Sequence, residues 1–342
     1  MIPPSSSPPP NLIHIFWHKS MLMHNASISI FDTNIDLVST RSIAYQAGSI
    51  ASGQLNPEKQ VHQDPASHPA YRDNHNEPKE NSIPSHAKGN SPFPGKYAAI
   101  VIDNERDIKY YGASTSFEVH ELSDVSVNQA TGAQVILAKG EQGPRSYINA
   151  IHFGWHIFYR DEHDNLPHFF TYWTTDGYQQ SRCLNMLCPG YVQISNGTTP
   201  GIIIPKGEIE LSVSRDRSTG NWLLRFVDNN NELLGYWPKE LFNNMADSSQ
   251  VQVHGVVNSP KDVPSPPMGN GNLPTTFFSA AAKFRRIRLM NGNGDFFPPS
   301  SEKVTTFVDL SYDFYALDHL RDHGGTWGYG FDYGGPGGWY VN

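Results

Sequence analysis

GEIELSVSRDRSTGNWLLRFVDNNNELLGYW, residues 207–237, decides the fold class of this chain. Ile209, Leu211 and Val213 alternate with Glu208, Glu210, Ser212 and Ser214, the period-2 pattern of a half-buried strand. Asp216 to Asn221 supplies a Gly-containing turn, and Trp222, Leu224 and Phe226 resume the alternation on a returning strand. A second turn at Asp228-Asn229-Asn230-Asn231 leads into Leu233 to Trp237, so the three segments read as a β-meander.

Working outward, Tyr97 to Ile102 is a compact apolar run, and Arg286-Ile287-Arg288-Leu289 alternates again near the end of Phe277 to Met290. Pro238 starts the one segment with helical spacing, Lys239 to Met245, whose Leu241, Phe242 and Met245 share a face. Residues 259 to 274 are dominated by Pro and Gly and read as a loop. Upstream, residues 1–35 show no sustained period, and 36–95 form a linker or wrapping region, dense in Pro, His, Asn and Glu from Gln54 onward. A strand-rich domain is expected over 96–342. The glycine-rich tail lacks the Lys and the spacing of a phosphate loop, so close backbone packing is expected there.

Composition bounds the classes of function. With 38% hydrophobic and 12% aromatic residues, 29 Gly and 26 Pro in 342 positions, the chain has enough apolar material for a core and many turn-formers. That balance predicts an all-β chain of many short strands. A net charge of −8 argues against nucleic acid and anionic membrane as partners. No run of about 18 apolar residues is present, so no spanning helix is expected. The first residues hold only Leu12 to Trp17 as an apolar core, broken by His14, which is a poor match to a secretion signal.

FFTYWTTDGYQQSRCLNMLCPGY, residues 169–191, contains both cysteines, Cys183 and Cys188. A C-x4-C pair can ligate a metal, but zinc needs four ligands and no second Cys pair completes the usual set. Two core thiols are the plain alternative. A short disulfide clip fits the setting better and favours an oxidising compartment.

Eight motifs in order carry a family resemblance. They are YYGA at Tyr110 to Ala113, GW at Gly154-Trp155, YWTTDGY at Tyr172 to Tyr178, and C-x-N-x-L-CPGYVQ from Cys183 to Gln193. TGNWLL at Thr219 to Leu224, GYWPKELF at Gly235 to Phe242, MGNG at Met268 to Gly271 and YGGPG at Tyr333 to Gly337 complete them. This set resembles the neprosin family of plant proteins over about residues 96–342, and QDPASHPAYRDNH at Gln63 to His75 resembles that family's activation peptide. The resemblance implies two antiparallel sheets packed as a β-sandwich, secretion, and a glutamic peptidase that cleaves after proline. It also implies that Cys183 and Cys188 are disulfide-bonded; Ser311 stands where a further family cysteine is expected. In such chemistry two carboxyl groups face each other across a cleft, one ionised as general base and one protonated.

The family's first glutamate precedes the GW motif, where this chain has His152. The second falls at Val256, or at Gly255 if the alignment shifts by one. Neither glutamate is present, so the expectation is an inactive or impaired homologue that binds a proline-containing peptide or a cell-wall polymer. An active endopeptidase using other residues is the alternative. Gln134, Trp155 and Trp173 are candidates to line the cleft, although each also reads as an ordinary sheet or core residue. His152 and His156 share a strand face and, with Glu162 or Asp161, form the one candidate metal cluster; half-exposed side chains are the plainer reading, and neither metal nor cofactor is expected. Asp176 in the TTDGY turn reads as a turn-fixing residue.

Overall fold

The computed structural model describes residues 95–103, 109–141, 143–158, 162–260, 263–274, 280–300, 304–308 and 313–339. The expected divisions at 1–35 and most of 36–95, together with Asp161 and Ser311, lie outside the described residues. Among the described residues seventeen strands form. The first nine in chain order are β1 (Gly95–Asp103), β2 (Gly112–Val119), β3 (Ala130–Lys139), β4 (Asn149–Ile157), β5 (His168–Thr174), β6 (Cys183–Leu184), β7 (Val192–Gln193), β8 (Gly207–Arg215) and β9 (Trp222–Phe226). The rest are β10 (Glu232–Trp237), β11 (Gln250–Asn258), β12 (Ala282–Met290), β13 (Phe296–Phe297), β14 (Val304–Val308), β15 (Ala316–Leu317), β16 (Arg321–Asp322) and β17 (Tyr329–Gly334).

They form two antiparallel sheets. One has seven strands in the order β14-β1-β11-β3-β4-β5-β6. The other has ten: the path β15-β17-β12-β2-β8-β9-β10-β7, with β13 on β12 and β16 on β17. The expected meander is present as β8-β9-β10, with Leu211 opposite Phe226 and Trp222 opposite Trp237. Its second turn places Asn230 and Asn231 at positive φ (51° and 55°), a conformation Asn tolerates better than most residues.

Period-2 alternation sorts the seven-stranded sheet into two faces. Ala133, Val135 and Leu137 of β3, Ile151, Phe153 and Trp155 of β4, and Val251 and Val253 of β11 point into one buried cluster. Phe117, Val213, Leu224 and Phe284 enter the same cluster from the ten-stranded sheet, so the core lies between the sheets. Phe117 joins the layers, meeting Phe153 edge-on at 6.3 Å and Phe284 at 5.5 Å.

The helix expected over Lys239 to Met245 is corrected by the structure. Only one 3₁₀ turn forms, Lys239–Leu241, and Phe242 is already extended (φ −100°, ψ 131°). The cause is the capture of the next two residues by distant partners. Asn243 accepts a hydrogen bond from the Asn149 side-chain amide and donates to the Thr175 carbonyl, while the Asn244 amide donates to the Tyr147 carbonyl. These tertiary bonds outweigh a segment too short to nucleate a helix by itself. The glycine-rich tail behaves as expected: a β-carbon at Gly335 (φ +153°) would lie 2.1 Å from the Phe314 carbonyl oxygen.

Cys183 and Cys188 form a disulfide with Cα atoms 5.9 Å apart. Cys183 sits on β6 opposite Trp173 of β5, so the clip fixes the edge of the seven-stranded sheet. Replacing both cysteines with serine is expected to lower unfolding stability by about 2 kcal/mol, the closure entropy of so short a loop. Denaturant titration of the two proteins measures it, and an unchanged midpoint would show that the clip adds nothing.

Candidate functional site

The face of the seven-stranded sheet turned away from the core is laid out by register. Four rows cross β11, β3, β4 and β5 in that order. The first is Gln250, Ala138, Ala150, Thr174; the second is Gln252, Ile136, His152, Tyr172. The third is His254, Gln134, Gly154, Phe170, and the fourth is Val256, Gly132, His156, His168. Gln134, His152, Gln250, Gln252 and His254 are all buried. A shielded polar row of this kind has to be held by hydrogen bonds.

At its centre, Gln134 Oε1 lies 3.1 Å from His152 Nδ1, and the Tyr178 hydroxyl lies 2.5 Å from His152 Nε2. With the amide oxygen as acceptor, Nδ1 carries the ring hydrogen and Nε2 accepts from the tyrosine. Tyr172 and Tyr178 stand edge-on to the imidazole at 5.4 and 5.7 Å. Gly154 makes the bridge possible. It faces Gln134 directly, and a β-carbon there would lie 2.0 Å from the Ala133 carbonyl oxygen, so no side chain stands between Gln134 and His152.

One turn places Tyr178. Asp176 accepts hydrogen bonds from the backbone N–H groups of Gln179, Gln180 and Ser181 at 2.9–3.1 Å. Burial pushes its pKa up, but these donors outweigh burial and hold the carboxyl below its usual range. The turn-fixing reading of Asp176 therefore agrees with its geometry, and Tyr178 leaves the turn at φ 65°. Nothing in the sequence pattern singles out Tyr178, because its reach depends on that turn.

In the fourth row His156 stacks on Phe170 at 4.6 Å, and its cross-strand partner is His168. Glu162 lies between the two rings, 3.7 Å from His156 Nε2 and 3.5 Å from His168 Nδ1. His168 is held at its other nitrogen by Asp164 (3.0 Å), and its Nδ1 is 2.9 Å from the Gly201 carbonyl oxygen. The candidate metal set therefore splits: Glu162 approaches His156 but His152 is bound by Gln134 and Tyr178. Among the described residues, no group of three or more His, Cys, Asp or Glu has metal-binding geometry.

Of the other sequence candidates, Gln134 stands beside His152 as described. Trp155 and Trp173 do not line this face; both lie on the opposite side of their strands, in the core between the sheets. Strand parity explains why the core reading holds and the cleft reading does not, since 155 and 173 alternate with His152 and Tyr172. Val256 shares the face with His152 but not its row, since it lines up with Gly132 and His156. Two strand spacings and four residues separate the positions, roughly 16 Å between Cα atoms. Gly255 points into the core, where a β-carbon would meet the Tyr333 ring at 2.5 Å.

Burial lowers the His156 pKa, and the nearby Glu162 carboxylate only partly opposes this. A histidine depressed in the folded state adds stability that is present above about pH 6.5 and lost as pH falls through its folded value. The His156→Phe variant, which keeps the stack on Phe170, is therefore expected to lose less stability than the parent between pH 7.5 and pH 5. Urea midpoints at the two pH values read this directly, and equal losses in both proteins would remove His156 as a source of acid sensitivity.

The Neprosin family model matches residues 127–336. Among solved structures, Scytalido-glutamic peptidase with a peptide-based transition state analog is similar at 12% identity and TM-score 0.38, covering 70% of this chain and 99% of that one. SCP-B, a member of the Eqolisin family of peptidases, in complex with the tripeptide Ala-Ile-His gives 12% identity and TM-score 0.37, over 73% and 100% of the two chains. A toad ovary galectin in complex with thio-digalactose gives 10% and 0.25, over 48% and 96%. Since the family match spans well over half of its length, this chain belongs to the Neprosin family.

Proposed function

We propose that this protein is a Neprosin-family member that no longer runs glutamic-peptidase chemistry and instead holds an extended, proline-containing peptide. One observation carries the reading. Across the four rows that β11, β3, β4 and β5 present on the polar face, no position is Asp or Glu. The conclusion is insensitive to alignment, because every outward position of β11 is Gln, His or Val: Gln250, Gln252, His254 and Val256. A shared-proton carboxyl pair needs two acids close together, and general acid–base groups contribute about 10²–10⁴ each to rate. The amide, imidazole and phenol groups on this face are suited to hydrogen-bonding a peptide backbone. The disulfide fits an oxidising, extracellular setting.

A second reading rests on His152. Its Nε2 lies 2.5 Å from the Tyr178 hydroxyl, so proton transfer by His152 would run through this pair without any carboxyl group on the four rows.

Incubating the full chain with a proline-rich peptide from pH 3 to pH 8, then analysing it by mass spectrometry, separates the readings. Binding without cleavage is expected. Cleavage confined to acid would revive the carboxyl mechanism, and neutral cleavage abolished by His152→Ala would favour the second reading. Capture of a cell-wall polysaccharide in place of the peptide would redirect the ligand class. Installing glutamate at both family positions, His152→Glu with Val256→Glu, is expected to leave the protein inactive, because their roughly 16 Å spacing prevents a shared proton. Acid-dependent turnover by that double variant would refute the spacing argument.

A further inference from the structure

A cavity lies where β3 and β8 finish and the chain after Pro238 passes them. It is about 360 Å³, within the range of small-molecule sites. Phe242 and Met245 contribute an apolar wall, and Lys139, Arg215 and Lys239 bring three cations to the rim. The Trp222 indole N–H donates to the Met245 carbonyl at 3.0 Å and holds that wall in place.

Charge is not balanced here. Asp247, the one carboxylate among the described lining residues, is already shared by Lys139 and by Lys109, the latter at 3.7 Å. Arg215 has no ion-pair partner among the described residues, and its Nε is sheltered from solvent without a hydrogen-bond acceptor. Lys239 meets only Glu240, at 3.9 Å and on an exposed surface. The Arg215 and Lys239 side chains meet over Gly220, where a β-carbon would lie 2.9 Å from both Arg215 Nη2 and Lys239 Cδ. A half-buried guanidinium without an ion pair, flanked by the side chain of a second cation, is suited to holding an anion. The chain as a whole carries −8, so this cluster runs against its overall sign.

We propose that this cavity is a binding site for a small organic carboxylate, with the acid held by Arg215 and Lys239 and the organic body against Phe242 and Met245. The planar guanidinium fork matches a carboxylate's two oxygens, and the apolar wall distinguishes such a ligand from a bare inorganic anion. A sugar acid and an acylated amino acid offer the same chemistry.

Calorimetric titration of the full chain with D-glucuronate and with N-acetylproline, each against its neutral ester or amide, tests the assignment. At least one acid should bind, its neutral counterpart should not, and raising the salt should weaken the binding. The acid that binds identifies the carrier. Arg215→Met keeps the side chain's apolar stem and should cost about tenfold or more in affinity, with Arg215→Lys between the two. Lys239→Met, at an exposed position, gives an independent reading should the arginine variant fail to fold. Absence of binding by both acids at millimolar concentration, equal binding of the neutral counterparts, affinity unchanged by the Arg215 and Lys239 substitutions, or inorganic phosphate binding as tightly as the acids would overturn the proposal.

Discussion

The register between β3 and β4, with Gln134 opposite Gly154 and Val135 opposite Phe153, places Gln134 and His152 at the centre of the candidate site. A strand offers its residues alternately to two faces, so a slip of one position would exchange them all. Here the exchange is blocked from the core side. Trp155, Phe153, Ile151 and Val135 fill the space between the sheets, and large aromatic side chains each gain several kcal/mol there (about 3–5 for Phe or Trp against Ala). His152, Gln134 and His254 therefore stand together on the opposite face because their apolar neighbours cannot leave the core. The site is a by-product of packing that would persist whatever its own chemistry.

That independence bears on the missing acids. Burying two carboxyl groups side by side forces a shared proton and carries a desolvation cost that the fold has to absorb. Neutral amides and imidazoles on the same face carry a smaller cost, and they satisfy one another: Gln252 donates to Gln250 at 2.7 Å, and His152 is held between Gln134 and Tyr178. The core is indifferent to which polar residues this face carries.

Legibility in the sequence depends on the range of the interaction. The meander, the cysteine clip and the turn-fixing role of Asp176 are local, and periodicity or turn chemistry reveals them. Parity alone separates His152 from Trp155, yet the choice of which parity faces the core needs the partner sheet, and so sequence reasoning leaves the tryptophans between a core and a cleft role until the structure places them in the core. The failed helix after Pro238 is the clearest case of long-range override, since Asn243 and Asn244 are captured by Asn149, Tyr147 and Thr175, far away in sequence. Tyr178 and the offset of Val256 from His152 depend on a turn and on sheet register, neither of which composition encodes.

Elsewhere the molecule treats buried charge strictly, and this sets Arg215 apart. On the ten-stranded sheet Glu210 is buried but accepts from Ser114 at 3.0 Å, Arg286 at 2.7 Å and Arg288 at 2.5 Å. Arg285 and Asp332, both nearly inaccessible, pair at 2.9 Å. Each of these charges is compensated within the chain, as a low-dielectric setting demands. Among the described residues Arg215 lacks the ion pair that Arg285, Arg286 and Arg288 each have, and it stands beside a second cation and an apolar wall. A fold that pairs its buried charges and leaves the half-buried Arg215 without an ion pair among the described residues has a position whose counter-ion comes from outside the chain.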